Sequence, residues 1–360
     1  MIDLRLGSRY NGCNTARPSA LKDVRVGFLF RPPMLLYKKP YLSFEQQLAL
    51  LKGRGLIVTD DAAALSCLQR IGYYRLSAYW YPLRRTKFEK CSKTGKILIQ
   101  RLDEFQSDSS FEQVLSLYVF DKRLRLLVLD AVERIEVALR VDISYLLGEK
   151  DPFAHTNSQL LHGNFAKKVN HATGRTRHQV WLDRYQATVN RSQEDFVRHY
   201  QQKYGQPFPI WVAVELWEFG MLSTFYQGMQ VRDATDIAAK YGLPEWQIMQ
   251  SWLRSINFAR NVAAHHSRLW NKNLVDQPKL PRLGQIHGFD ALVGQPAVAS
   301  RMFVILCILL HFMRIVGPNS TWPKRLRQHL ETFPVVPRVS LSDMGFPADW
   351  PEQPLWKTAP

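Results

Sequence analysis

One short segment carries the residues best suited to acid–base chemistry. It reads SWLRSINFARNVAAHHSRLWN over residues 251–271 and contains Arg260, Asn261, His265 and His266. Asn261 and His265 are four residues apart and therefore share a helix face, with Arg260 to one side. Arginine offers phosphate oxygens a permanent charge and a planar set of donors, whereas histidine can exchange a proton near neutral pH. The segment could therefore surround one phosphate group at a helix end.

These side chains are the ones that RNA cleavage without a metal requires. The 2′-hydroxyl of RNA is itself the nucleophile, so the protein must move its proton, protonate the leaving oxygen and stabilise the pentacoordinate phosphate. An Arg–His pair at this spacing also arises by chance, and a polar helix end packed on Trp270 is the alternative. Adjacent histidines point to different sides of a helix, and no HExxH or DxD cluster accompanies them. The sequence therefore predicts neither a metal nor a cofactor.

The composition narrows the choice of partner and compartment. The 360 residues include 48 Lys and Arg against 31 Asp and Glu, a formal charge of +17, which favours a polyanion such as nucleic acid or an anionic membrane. The four cysteines form no CxxC pair, which fits a reducing cytosol. The most apolar stretch, 302–316, is short for a membrane span and contains His311 and Arg314, so it predicts a buried core helix. We expect a cytoplasmic protein without a membrane partner.

The hydrophobic pattern predicts an all-α fold, because apolar residues recur at helical spacing and no strand pattern is long enough for a central sheet. Residues 85–110 are expected to form a loop or a short hairpin, and 111–147 one or two long helices. The segment 209–229 is apolar on most sides and should be largely buried. The other predicted helices cover 43–53, 60–71, 71–84, 179–204, 232–241, 244–266, 297–316 and 321–332.

The same pattern divides the chain into three parts. Residues 1–36 show no sustained period and are expected to form a poorly ordered N-terminal extension. Residues 37–333 are expected to form a single helical domain. The tail, 334–360, is proline-rich and predicted to be extended.

The apolar stretch 111–147 also contains four charged residues that could support the site. They are Glu133, Arg134, Glu136 and Arg140. Glu136 and Arg140 are one helical turn apart, and one member of the set could hold Arg260 or His265 in place. The alternative is a surface ion pair that contributes only tenths of a kcal/mol. His266 could likewise support the catalytic residues or simply continue the helix end.

The segment RNVAAH matches the RNxxxH signature of the HEPN ribonuclease superfamily. The wider sequence resembles the abortive-infection (Abi) family of bacterial phage-defence proteins, of the AbiD/AbiF kind. The resemblance rests on five blocks in the family's order: KKPYLSFEQQLALLKGRGL, IGYYRLSAYWYPLR, LYVFDKRLRLLVLDAVERIEVALR, PIWVAVELWEFGMLSTFY and RNVAAHHSRLWN. Residues 1–36 lie outside it.

The resemblance implies a HEPN-type helical bundle with additional helices and an RNA endonuclease activity. Carried over by position, Arg260 and His265 are the expected catalytic pair, and Asn261 orients them. Control by a small structured RNA and a homodimer with two motifs facing across one interface are implied as well. A growth-arresting defence protein or toxin is the expected function. The alternatives are a non-catalytic RNA-binding module, and a membrane-active effector that uses residues 297–316.

Overall fold

A computed structural model describes residues 40–90 and 97–357 of the chain. The N-terminal extension predicted over 1–36 lies outside the described residues. The contacts between Cα atoms divide the chain after Leu115 into two compact units, whereas the sequence analysis expected a single domain over 37–333. The division falls inside a long helix because the N-terminal helices and hairpin make most of their contacts with one another.

In the first unit, three short helices precede a β-hairpin. Helix α1 (Phe44–Gly53) begins at the predicted capping box, in which Ser43 and Gln46 each accept a hydrogen bond from the backbone N–H of the other. Helix α2 (Asp61–Ile71) ends at Gly72, whose φ of 90° suits a residue without a Cβ atom. Helix α3 (Tyr73–Trp80) buries Tyr79 and Trp80, so most of its aromatic bulk packs in the core.

The segment predicted as a loop or a short hairpin is a hairpin. Strand β1 (Arg84–Lys90) pairs antiparallel with strand β2 (Ile97–Phe105), with Phe88 opposite Ile99. The polar, basic composition had left the two possibilities open. The short sheet does not change the fold class, which is mostly α, as predicted.

Helix α4 (Phe111–Gly148) is one continuous helix of 38 residues. No glycine or proline interrupts it before Gly148, so every backbone N–H after the first turn can donate to the preceding turn. The sequence allowed one or two helices here, and the structure has one. From Ser116 onward it belongs to the second compact unit.

The second unit also contains two strands of two residues each, β3 (Val169–Asn170) and β4 (Arg175–Thr176). Its remaining helices are mostly short: α5 (Gly163–Ala166), α6 (Arg177–Arg191), α7 (Asp195–Tyr204), α8 (Ile210–Ala213), α9 (Phe219–Gly228), α10 (Val231–Lys240), α11 (Trp246–Ala264), α12 (Pro296–Ala299), α13 (Met302–Val316) and α14 (Trp322–Glu331). Strands β3 and β4 pair antiparallel.

Two segments break where the sequence pattern was continuous. The helix expected over 179–204 is two helices, because Ser192 is extended and its hydroxyl accepts a hydrogen bond from Glu194 N–H. The chain at 209–229 is buried, as expected, but it breaks at Trp217, which is extended. The Trp217 ring packs edge-on against Trp181, with ring centroids 4.8 Å apart, and this contact holds the break in place.

Helix α13 buries eleven of its 15 residues, so the prediction of a core helix over 302–316 is confirmed. The predicted start at 297 was wrong, because Arg301 is extended and separates α13 from α12. Across residues 40–90 and 97–357, no helix has the length and hydrophobicity that crossing a bilayer requires. Part of the proline-rich tail packs on α13. Trp356 stacks on Phe303 with 5.7 Å between ring centroids, and Arg314 donates to the Leu355 carbonyl at 2.6 Å.

Candidate functional site

Helix α11 carries the polar segment that the sequence analysis singled out, and its apolar face fixes its position. The predicted stripe of Met249, Leu253 and Ile256 is fully buried, as is Trp252 between them. A helix that buries large side chains along its length cannot rotate without opening cavities in the core. Residues beyond the stripe therefore project from a rigid support.

The end of α11 is a Schellman turn built from the two histidines. His265 is the last residue with near-helical angles, and His266 has a left-handed φ of 57°. His266 N–H donates to the Ala263 carbonyl and Ser267 N–H to the Val262 carbonyl, both at 3.0 Å, which is the bonding pattern of this motif. The helix stops two residues earlier than predicted because of this turn. As a result both imidazoles are exposed where the chain changes direction.

Arg260 and Asn261 meet just before that turn. The Arg260 guanidinium donates to the Asn261 amide oxygen at 3.3 Å, and both side chains are half-buried. This hydrogen bond restricts the orientation of the Arg260 guanidinium, the group expected to bind a phosphate. His265 N–H donates to the Asn261 carbonyl at 3.0 Å, so the Asn261 side chain and backbone contact both predicted catalytic residues.

Of the four charged residues on α4, Glu136 and Arg140 form one ion pair. The carboxylate accepts from the Arg140 guanidinium at 2.5 Å, and the same guanidinium donates to the Trp217 carbonyl at 2.7 Å. Burial raises the pKa of the Glu136 carboxyl, against the opposing effects of the positive charges of Arg140 and then Arg260. The positive charge of Arg260 thus favours the ionised form of this carboxyl, although less than that of Arg140 does.

The other two charges lie elsewhere on α4. Arg134 donates to Asp130 at 3.0 Å and to the Ser320 hydroxyl at 3.2 Å, just before α14. Glu133 is exposed to solvent. The structure therefore pairs Glu136 with Arg140 and directs Arg134 towards a different neighbour.

A second contact with α4 fixes the chain just after the motif. The buried carboxylate of Asp121 accepts from the Trp270 backbone N–H at 2.7 Å and from the Leu269 N–H at 3.1 Å. It is also paired with the buried guanidinium of Arg125, which donates to the Ser267 carbonyl at 3.4 Å. The sequence analysis missed both residues. In the sequence, the two residues appear as opposite charges one helical turn apart within the stretch FDKRLRLL.

Helix α9 approaches α11 one turn before the motif. A Cβ atom on Gly220 would lie 3.3 Å from the amide oxygen of Asn257, tighter than an ordinary contact, so glycine permits this approach. Asn257 precedes Asn261 by one turn and shares its face. Asn257 is a further polar residue of the site that sequence reasoning missed, although its spacing from Asn261 could have indicated it. In the part of the chain that the structure describes, no three His, Cys, Asp or Glu side chains converge as a metal site would require.

The fold and this site define a mostly α-helical protein with Arg260, Asn261 and His265 at the capped end of one helix. The family model for Abi-like proteins matches residues 66–271, more than half of the chain and up to the last residue of the polar segment. The chain therefore belongs to the Abi-like protein family, and this membership supports a role in abortive infection. No curated protein and no solved structure matches the chain.

Proposed function

We propose that this protein is a metal-independent RNA endonuclease of the HEPN type that acts in the cytoplasm as an abortive-infection protein or toxin. The observation that carries the proposal is the assembly of Arg260, Asn261 and His265 at one helix end. A permanent cation, held by an amide, precedes an exposed imidazole by five residues at the same helix end, on a chain with a formal charge of +17. Family membership supports the biological setting.

The chemistry follows from the residue types. The RNA 2′-hydroxyl attacks the adjacent phosphorus, the bond from phosphorus to the 5′ oxygen breaks, and the products are a 2′,3′-cyclic phosphate and a 5′-hydroxyl. His265 exchanges the proton that leaves the nucleophile or reaches the departing oxygen. Arg260 stabilises the charge that develops on the phosphate oxygens. Asn261 orients the Arg260 guanidinium.

One chain offers one Arg260 and one His265, whereas proton transfer at two oxygens and charge stabilisation must occur around one phosphate. We therefore propose a symmetric homodimer in which both copies contribute these residues to a single site. Control by a small structured RNA is part of the same proposal. Such an RNA should copurify with the full chain and, when added back, should lower the cleavage rate.

The test is cleavage of end-labelled RNA by the purified full chain in EDTA. We expect cleavage to persist and the 5′ fragments to end in a 2′,3′-cyclic phosphate. A substrate with a single 2′-deoxy residue at the cleavage position should remain intact there. Loss of activity in EDTA that magnesium restores would contradict the metal-independent mechanism.

The residue assignment has a matched control next to it. His265→Ala should reduce the cleavage rate by about 100-fold or more, the usual contribution of a general acid or base, and should still bind RNA through Arg260 and the basic surface. His266→Ala, also exposed, should cut RNA at the wild-type rate. Binding without cleavage by the wild-type chain would instead indicate the non-catalytic RNA-binding module.

A further inference from the structure

The hairpin formed by β1 and β2 exposes its apolar face. Phe88 on β1 lies directly opposite Ile99 on β2, and both side chains are 67% exposed. Ile97, two residues before Ile99, is 66% exposed. Side chains that lie opposite each other across a ladder, or two residues apart along a strand, share one face of the sheet. The apolar face of an antiparallel sheet usually packs on a core, so an exposed one is typical of a contact surface.

The same face carries a cationic group that is held in place beside an aromatic ring. Arg101 lies on this face, two residues further along β2, and is exposed. Its guanidinium donates to the carbonyls of Pro82 and Arg84, at 3.0 Å each. The guanidinium carbon lies 5.6 Å from the ring centroid of Tyr81, which is also exposed. We call these residues the hairpin face: Tyr81, Phe88, Ile97, Ile99 and Arg101.

The charge of the hairpin favours a polyanion. Residues 84–90 and 97–101 include five basic residues against one acidic residue, Glu89. Glu89 forms an ion pair with Lys87 at 2.6 Å on the opposite face of the hairpin. Asp103, nearer the base of the hairpin, is paired with Arg54 at 3.0 Å and with Arg84 at 3.1 Å. A second copy of the hairpin would bring the same positive charge, so the hairpin face is a poor match for itself.

The spacing of groups on the hairpin face suits a single strand of nucleic acid. Phe88 and Arg101 are diagonal neighbours across the ladder, which places them about 7 to 8 Å apart. Stacked bases lie only about 3.4 Å apart along a strand. Two flat groups at the wider spacing can therefore each receive a base only if the bases are separated, as in an extended single strand. Aromatic rings and guanidinium planes are the groups on which such bases stack.

We propose that the hairpin face binds single-stranded RNA, with one base stacked on Phe88 and a neighbouring base on the pair formed by Tyr81 and Arg101. The hairpin face belongs to the first compact unit, whereas Arg260 and His265 belong to the second, so this binding site is built separately from the cleavage residues. The assignment rests on the proposed function for its purpose, because an enzyme that cuts RNA gains affinity from contacts away from the cut phosphate.

Fluorescence anisotropy of the full chain with a labelled, unstructured 2′-O-methyl oligoribonucleotide of about 12 nucleotides tests the site. This probe cannot be cut by attack of its own 2′ oxygen, so the measurement is independent of cleavage. We expect Phe88→Ala to raise the Kd at least about fivefold, because it removes a stacking ring, and Phe88→Trp to bind as the wild type does. Tyr145→Ala removes an aromatic side chain that is 78% exposed on α4, and this control should leave the Kd unchanged.

Two further comparisons separate stacking from other contacts. Phe88→Leu keeps an apolar side chain without a flat ring and should bind as weakly as Phe88→Ala. A duplex of the same sequence hides the faces of its bases, so Phe88→Ala should not change the Kd for the duplex. Circular dichroism would verify that each variant is folded. A wild type that does not bind the probe, wild-type affinity for Phe88→Ala or Phe88→Leu, or an equal loss with the duplex would overturn the proposal.

An anionic membrane is the competing ligand for a basic hairpin with apolar side chains. We expect Phe88→Ala to sediment with vesicles of phosphatidylcholine and phosphatidylserine as much as the wild type does. Sedimentation of the wild type that Phe88→Ala abolishes would assign the hairpin face to a membrane and overturn the proposal.

Cleavage gives a separate result for the proposed function. A chain that binds the probe through Phe88 but cuts no RNA would reject the proposed function and leave the hairpin site standing. Cleavage at the wild-type rate together with unchanged binding by Phe88→Ala would reject the hairpin site alone.

Discussion

At the scale of single residues, the site depends on how its permanent charges are held. The Arg260 guanidinium donates a hydrogen bond to the Asn261 amide oxygen. Its positive charge also acts to lower the pKa of the Glu136 carboxyl, which forms an ion pair with Arg140. Glu136 and Arg140 are only 14% and 18% exposed, so solvent screens this pair weakly. Glu136 therefore offsets part of the positive charge of both guanidinium groups. We interpret it as a positioning residue for Arg260.

Glu136→Gln should weaken cleavage without weakening RNA binding. The substitution keeps the shape of the side chain and removes the charge that balances Arg140 and Arg260, so Arg260 should shift from the phosphate. We expect the turnover rate to fall about tenfold and KM to stay the same, the pattern of a contact that acts in the transition state. Glu133→Gln, on the same helix but exposed, is the control and should change neither value. Wild-type kinetics for Glu136→Gln would show that the ion pair only stabilises the fold.

At the scale of elements, α4 supports the end of α11 at two points. One is Arg125, whose guanidinium donates to the Ser267 carbonyl at 3.4 Å, and the other is Asp121, whose carboxylate accepts from two backbone N–H groups just after the motif. Both contacts lie at or directly after the Schellman turn. The geometry of the turn is therefore determined by the long helix as well as by its own residues.

Asp121→Asn should destabilise the fold strongly. It leaves the buried Arg125 guanidinium without its charged partner, and breaking a buried pair in this way costs about 3 kcal/mol or more of unfolding free energy. Urea unfolding followed by circular dichroism would measure the loss. Asp130→Asn removes a more exposed carboxylate on the same helix, at 28% exposure, and should cost less than about 1 kcal/mol. Equal effects of the two substitutions would contradict a dominant role for the buried pair.

At the scale of the whole molecule, buried histidines make stability depend on pH. Burial lowers the pKa of His155 and of His329 to about 4 each, from an ordinary value of 6.5. The Nε2–H of His329 donates to the Phe120 carbonyl oxygen at 3.0 Å inside the core. The neutral imidazole is therefore the form that the folded state favours.

Acid should destabilise the protein between pH 6.5 and 4. The unfolded chain takes up protons on these histidines first, so their contribution is complete above pH 6.5 and is lost as the pH falls towards 4. At pH 5 the loss is about 2 kcal/mol for each histidine. His329→Gln keeps a donor for the Phe120 carbonyl and should reduce the difference in unfolding free energy between pH 7 and pH 5. The exposed His287→Gln is the control, and an unchanged difference for His329→Gln would contradict the prediction.

The proposed dimer predicts how activity depends on the composition of the pair. A purified mixed dimer of wild type and His265→Ala should retain far less than half of the wild-type rate, because both copies serve one site. Tandem purification on two different tags, followed by the cleavage assay, would measure it. A mixed dimer with His266→Ala should be fully active. Half activity for the His265→Ala mixture would show that each chain carries a complete site.

The sequence by itself determined features that depend on nearby residues. The capping box at Ser43, the helical character of 111–147 and the buried stripe of α11 follow from spacing and helix propensity, which act over a few residues. Arg260 and His265 were identified in the same way, from residue types and the RNxxxH spacing. Their role as the catalytic pair remains a prediction.

Only the tertiary structure decided which distant groups meet. Asp121 accepts a hydrogen bond from the Trp270 N–H because the chain after α11 returns to the buried side of α4, and no local pattern encodes such a pairing. The breaks at Ser192 and Trp217 likewise interrupt segments whose local composition favours helix. Packing free energy outweighs helix propensity at such positions, since propensity differences are below about 1 kcal/mol per residue whereas burial of one aromatic side chain contributes about 2 kcal/mol.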